Sequence, residues 1–494
     1  MLAACAALLM PACAHAQLQL HPMLGENAVL QRERPITIAG TAAPDTRVTV
    51  QLADETTSAT AGPDGRWRVS LAPRPATDDL VLRIEARNEE IVRRHIAVGD
   101  VILCSGQSNM QFTMARTALG GWEGSLPIDD SLRLFQVPRA GYPLPRKTFS
   151  QEAQWFPAKG NSDGFSAVCL LAGRQLARSR KITVGLIDAS LGGTPIEAWL
   201  ARDDLAKLKG MEQEVAILDD YAADEASARI LHDKRLAELW TDVADGPGTP
   251  GRSKIGYANL YNAMLAPIGE LPLAGAIWYQ GEANARNGDA RAVYMAKLTS
   301  LIGGWRERYG TQLPVAVVQI APFGQLARDP GESRSAEIRE AQRLVAADEP
   351  LTELVVTMDV GERLDIHPPL KQPVAERAAA ALDRLAGIAG APTGSPQAVS
   401  ATRTGDIVHI TVIDGSGSLF AADGGPPSPL AVCRKDGAMK CTAAEATLTE
   451  AGLAVTIPAG TEPGIVRYCW AAAPICNIFD DAQLPLGPFE LAID

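Results

Sequence analysis

Val98-Gly99-Asp100-Val101-Ile102-Leu103-Cys104-Ser105-Gly106-Gln107-Ser108-Asn109-Met110 is the stretch on which the reading of this chain turns. Its first seven residues form a compact, mainly apolar run, the pattern of a strand buried on both faces of a parallel sheet. A small polar segment follows at once. In open α/β sheets ligands bind beyond the carboxyl ends of the strands, so Ser105 to Met110 stands where chemistry is expected.

Outward from this run, residues 182–187, 274–278, 315–320 and 354–358 read as further buried parallel strands. Helical spacing in residues 164–180, 291–309, 335–347 and 372–386 lies between them and predicts a doubly wound α/β sheet with right-handed crossovers, over 98–392. Within it, residues 201–253 are charged and helix-prone, then rich in Gly and Pro at 245–251, as an inserted helical excursion would be. On the amino side, 17–97 alternates apolar and polar residues in 47–52, 66–71 and 81–86, and Gly62-Pro63-Asp64-Gly65 has the chemistry of a type I turn. That segment is predicted to be an antiparallel β-sandwich module. Alternation returns in 407–413, 453–457 and 465–470 and predicts a second β module over 393–494.

A chain of 494 residues exceeds one hydrophobic core, which agrees with this division. Its formal charge of -12, with basic residues scattered, argues against nucleic acid or an anionic membrane as partner. Residues 1–16 combine an apolar run with Ala14-His15-Ala16 and are expected to be a signal peptide, leaving Gln17 as the mature start and a periplasmic or secreted protein. No later stretch is apolar and long enough to span a bilayer. Export makes disulfides possible. Cys433, Cys441, Cys469 and Cys476 allow three pairings, of which the local one, Cys433 with Cys441 and Cys469 with Cys476, is expected. Cys104 and Cys169 lie in apolar segments and read as core thiols.

The strand exits are specific. The first strand leads into Ser108, the second into Ser190-Leu191-Gly192-Gly193-Thr194, the third into Gln280-Gly281-Glu282-Ala283-Asn284, and the last into Asp365-Ile366-His367-Pro368. A serine hydroxyl needs a base to take its proton and preorganised donors for the tetrahedral oxyanion. The expected roles are therefore Ser108 as nucleophile, His367 as base and then acid, and Asp365 as the group that orients the imidazole. The N–H groups of Ser108 and Gly193, with Gly192 a weaker candidate, and the side-chain amide of Gln280 would form the oxyanion hole. Gln107, Asn109, Glu282 and Asn284 are expected to support the site or bind substrate. Of six histidines, His15 leaves with the signal peptide, and His21, His95, His232 and His409 fall in the flanking modules or the insertion. Trp199 and Trp278 read as core. No metal-ligand spacing occurs, and Gly120-Gly121 and Gly303-Gly304 lack the spacing of a dinucleotide or phosphate loop, so no cofactor is expected.

Taken together, Asn27-Ala28-Val29-Leu30-Gln31-Arg32, Gly106 to Met110, the blocks 190–199 and 278–284, and Asp365 to Pro368 resemble the sialate O-acetylesterase family of SGNH-type carbohydrate esterases. The resemblance implies a three-layer α/β/α, flavodoxin-like SGNH hydrolase domain with a parallel sheet, flanked by antiparallel β modules, and an acetyl esterase in which Ser108 and His367 act as the pair. Two departures stand out. The usual triad has Asp three residues before His, whereas Asp365 precedes His367 by two, leaving Glu362 or a backbone carbonyl as alternative orienting groups. Where many relatives use Asn for the oxyanion, Gln280 stands here. The expected substrate is an O-acetyl ester of sialic acid, whose carboxylate Arg116, Arg139 or Arg306 could meet. Acetylated xylan or xyloglucan is the alternative, and a non-catalytic carbohydrate-binding protein the third reading.

Overall fold

The strand carrying the opening stretch, β1 (Glu89–Gly106), is 18 residues long and runs through the expected boundary at 97/98 without a break. Its amino half pairs with strands Thr77–Ala86 and Val29–Gln31, and its carboxyl half with the central sheet, so one sheet is shared by both regions. The computed structural model describes residues 17–118, 130–239, 256–326, 332–434 and 440–494. The expected signal peptide and the Gly- and Pro-rich 245–251 lie outside the described residues.

The other central strands are β2 (Leu132–Gln136), β3 (Trp155–Pro157), β4 (Val184–Ser190), β5 (Gly275–Tyr279), β6 (Val315–Val318) and β7 (Thr352–Val355), in the order β3-β2-β4-β1-β5-β6-β7. All pair in parallel except β3 with β2. The run β4-β1-β5-β6-β7 is the flavodoxin-like 2-1-3-4-5 order, with β2 and β3 added beyond β4. Chain direction reverses across β1, because β4 lies on one side and β5 on the other. The residues after β1 therefore sit at the topological switch point, where the crevice of such sheets opens.

Alternation along the strands fills both faces. Val101, Leu103, Trp278, Val315 and Val317 join one core with α4 (Arg291–Tyr309) and α5 (Arg334–Asp348), while Ile102, Cys104, Ile277, Ala316 and Val318 join another with α2 (Ala167–Arg180) and α6 (Gln372–Leu385). This is the expected three-layer α/β/α arrangement. The first core continues into the amino-terminal sandwich through Val48, Val50, Leu82 and Ile96. Trp199 and Trp278 are fully buried in it, as read from the sequence. The carboxyl-terminal module holds two four-stranded antiparallel sheets, joined by a core around Val408, Val432, Val455 and Val466, and a two-stranded one, Phe420–Ala421 with Ile478–Phe479. Disulfides close Cys433–Cys441 and Cys469–Cys476, the local pairing.

Cys104 and Cys169 require a correction: they are not free core thiols but a disulfide between β1 and α2. Burial was rightly inferred, since both are 0% exposed. Partnership across 65 residues is a tertiary fact that spacing does not carry.

Candidate active site

β1 ends at Gly106, whose φ of +142° and whose approach to β5 leave no room for a side chain: a Cβ there would lie 2.1 Å from the Tyr279 carbonyl oxygen. The chain then turns into α1 (Ser108–Gln111), a single turn with Gln107 at its N-cap. Ser166, which caps α2 by accepting from Cys169 N–H, donates its hydroxyl to the Met110 carbonyl at 2.6 Å and ties this turn to the helix layer. Ser108 is half-buried, and among the described residues its hydroxyl and its N–H have no hydrogen-bond partner.

The loop after β4 lies directly over it. A Cβ at Gly192 would stand 3.2 Å from Ser108 Cβ, so glycine is what lets this backbone reach the serine. Gly192 N–H donates to Gln111 Oε1 at 2.6 Å and is spent, whereas Gly193, at φ +76°, has an N–H with no acceptor among the described residues. Two backbone donors are thus unengaged among the described residues, one in the turn of the serine, at 108, and one in the loop that reaches it, at 193.

Gln280 is different. Its Nε2 meets Gln107 Oε1 and the Thr194 carbonyl at 3.2 Å and Asn284 Oδ1 at 2.6 Å, its Oε1 accepts from the Tyr294 hydroxyl, and it is 0% exposed. With more acceptors than N–H bonds to give, this amide has none to offer an oxyanion. In this arrangement Gln280 braces the three loops. Asn284 continues that network, accepting from Ile196 N–H and donating to Glu197 and Asp289, both of which pair with buried Lys297. Gln107 likewise accepts from Ala283 N–H. These residues fix the loops after β1, β4 and β5 relative to one another.

Asn109 links the serine turn to the histidine. Its Nδ2 donates to Glu282 Oε1 at 2.6 Å and to the carbonyl of Ile366, the residue before His367, at 2.9 Å; its Oδ1 accepts from Lys371 Nζ at 2.6 Å. Ser108 and His367 are thereby carried on turns one side chain apart. No hydrogen bond joins the Ser108 hydroxyl to the imidazole among the described residues, a looseness common before substrate binds. Asp365 Oδ1 accepts from the His367 backbone N–H at 2.8 Å, so its carboxylate holds the turn rather than the ring. Burial pushes the imidazole below the usual histidine range; Asp365 opposes this, while Lys371 and Arg116 add to it. A neutral ring at pH 7 is a base ready to accept a proton.

Of the three arginines, Arg116 lies over the Phe112 ring at 4.5 Å and, among the described residues, forms no ion pair. Arg139 spends its Nε on the Ser190 carbonyl. Arg306 is bound to Glu349 and the Leu313 carbonyl at the amino end of β6, the opposite end of the sheet from Ser108, and is removed from the site. Sequence reasoning missed Lys371, Gln111 and Ser166: a lysine after two prolines reads as solvated, yet Lys371 is 1% exposed. No group of His, Cys, Asp and Glu among the described residues could hold a metal ion.

The chain is similar to known esterases. A family model described as "Carbohydrate esterase, sialic acid-specific acetylesterase" matches residues 247–372, a span that includes Gln280 to Asn284 and Asp365 to Lys371. The sialate O-acetylesterase of Rattus norvegicus is 29% identical over 398 residues, covering 71% of this chain and 70% of the relative. That of Homo sapiens is 30% identical over 390 residues, covering 72% and 68%. A solved carbohydrate acetylesterase from Xanthomonas citri superposes with a TM-score of 0.80 at 26% identity, over 96% of this chain and 99% of that chain.

Proposed function

Since the chain belongs to the sialate O-acetylesterase family and is a carboxylic ester hydrolase, we propose that it removes O-acetyl groups from sialic acid through an acyl-enzyme on Ser108, with His367 as general base and then acid. His367 takes the Ser108 proton as the hydroxyl attacks the acetyl carbonyl, and returns it to the departing sugar oxygen. Water, activated by the same ring, then releases acetate. The Ser108 and Gly193 N–H groups receive the oxyanion. The observation that carries this reading is the Asn109 bridge, which couples the turn of Ser108 to the carbonyl adjoining His367.

An anionic sugar is favoured by Arg116, a guanidinium without a carboxylate partner among the described residues and close enough to bias the imidazole. A neutral acetylated glycan such as xylan or xyloglucan is the second reading, because the solved structure covering 96% of this chain is described only as a carbohydrate acetylesterase. Three disulfides support an oxidising compartment, and we read the protein as periplasmic or secreted. The test is kcat/KM on O-acetylated sialic acid against acetylated xylo-oligosaccharide, for the native enzyme and Arg116→Gln. A preference for sialate of about tenfold or more that Arg116→Gln abolishes is expected; a preference for the neutral oligosaccharide overturns the sialate assignment.

A further inference from the structure

Lys371 sits at the N-cap of α6, four residues beyond His367, and is buried between the rings of Phe112 at 4.9 Å and Tyr279 at 5.7 Å. A lone ammonium in such a place is costly, and burial lowers its pKa to about 7. Its hydrogen-bond partner is the side-chain oxygen of Asn109, and on the far side of that amide lies the half-buried Glu282, whose Oε2 atom is itself buried and has no partner among the described residues. Ammonium, amide and carboxyl thus form one hydrogen-bonded chain, with the ammonium at the oxygen end and the Glu282 carboxyl, which burial pushes above the usual carboxylate range, at the nitrogen end. The ammonium polarises the amide and strengthens its Nδ2–H bond to the Ile366 carbonyl. The alternative uses of Lys371 are closed off, since it is too deeply buried to meet a glycan directly.

We propose that Lys371 is a positioning residue for the esterase: its ammonium clamps the Asn109 amide against Glu282 and so sets the spacing between the turns of Ser108 and His367. The proposal rests on the reading of Ser108 and His367 as the catalytic pair. The charged groups facing Lys371 are Glu282, Asp365 and Arg116, and those facing the imidazole are Asp365, Lys371 and Arg116. Removing the lysine charge leaves Asp365 and Arg116 in place, so the net change at the ring is loss of one positive charge, which raises its affinity for a proton.

The experiment uses an aryl acetate with the full chain and compares Lys371→Met, Lys371→Gln and Lys371→Arg with Ser108→Ala. Either neutral variant, once shown folded by circular dichroism, is expected to lose about 10- to 100-fold in kcat with KM changed less than about threefold. Its acid limb of kcat/KM should move up by about half a pH unit. Lys371→Arg, which keeps the charge, should keep the limb and recover most of the kcat. A folded neutral variant with native kcat and an unmoved limb overturns the proposal, as does an arginine variant whose limb moves with the neutral ones. If Ser108→Ala retains turnover, the catalytic pair itself is wrong; if only the Lys371 variants are silent, the clamp alone falls.

Discussion

Asn109 donates its side-chain amide to the Ile366 carbonyl at 2.9 Å, and through that bond two turns 257 residues apart in sequence become one structural unit. Each neighbour of the bridge is fixed in turn. Asn109 follows Ser108 on α1, whose entry is forced by Gly106, and Ile366 precedes His367, whose N–H is held by Asp365. Among the described residues no hydrogen bond joins the hydroxyl to the imidazole, so the scaffold determines their relative position before any substrate arrives.

A pair held in this way should fail as a pair. Ser108→Ala is expected to lower kcat on an aryl acetate by on the order of 10³-fold or more, His367→Ala by a similar factor, and the double variant by little beyond either. Steady-state rates with circular dichroism on each variant make the measurement. Additive losses would mean that the two residues act in separate steps.

Asp365 offers a sharper discrimination, because its carboxylate holds a backbone N–H that an amide oxygen can also hold. Asp365→Asn should therefore cost less than about tenfold in kcat/KM, far below the roughly 10⁴-fold expected of an acid that fixes the ring tautomer. Its effect should show in the pH profile instead. The base must be neutral, and burial holds His367 below the histidine norm, so the acid limb of the native enzyme should have its midpoint below pH 6.5. Asp365 opposes that shift, so loss of its charge should move the midpoint lower still. A loss near 10⁴-fold would indicate direct pairing with the imidazole, and a rise of the midpoint would show that the Asp365 charge does not act on the ring.

Where sequence reasoning succeeded and failed depends on which forces are local. Buried parallel strands and amphipathic helices leave period and density in the chain, and β1, β4 to β7 and the four helices that cover the central sheet were legible for that reason. β2 and β3, added beyond β4, were not read: Leu132-Arg133-Leu134-Phe135-Gln136 breaks its apolar run with an arginine, and β3 has only three residues. The rim residues were found because strand exits can be counted along the chain, yet their roles depend on which acceptors lie opposite. Gln280 faces partners that only the fold supplies, a saturated amide cage, whereas Asp365 is taken up by a local turn to the N–H two residues on, a contact that competes with the role read for its carboxylate. Lys371 was invisible for the same reason, since nothing in a lysine's neighbours along the chain announces that it will be buried.

The Cys104–Cys169 bond is the last of these tertiary facts and the most readily tested. It joins β1, two residues before Gly106, to α2, whose capping Ser166 holds the Met110 carbonyl. Closing 65 residues restricts the unfolded chain and is worth about 4 kcal/mol in the loop-entropy account. Cys104→Ala with Cys169→Ala should therefore lower the melting temperature of the enzyme by about 4 °C in differential scanning calorimetry. Activity is a separate matter. The strand pairings of β1 with β4 and β5, the Ser166 bond and the Asn109 bridge all survive the substitution, so kcat at 25 °C, per folded molecule, should stay within about threefold of native. A collapse of kcat in protein that is still folded would show that the disulfide, and not the hydrogen-bonded frame, aims the serine.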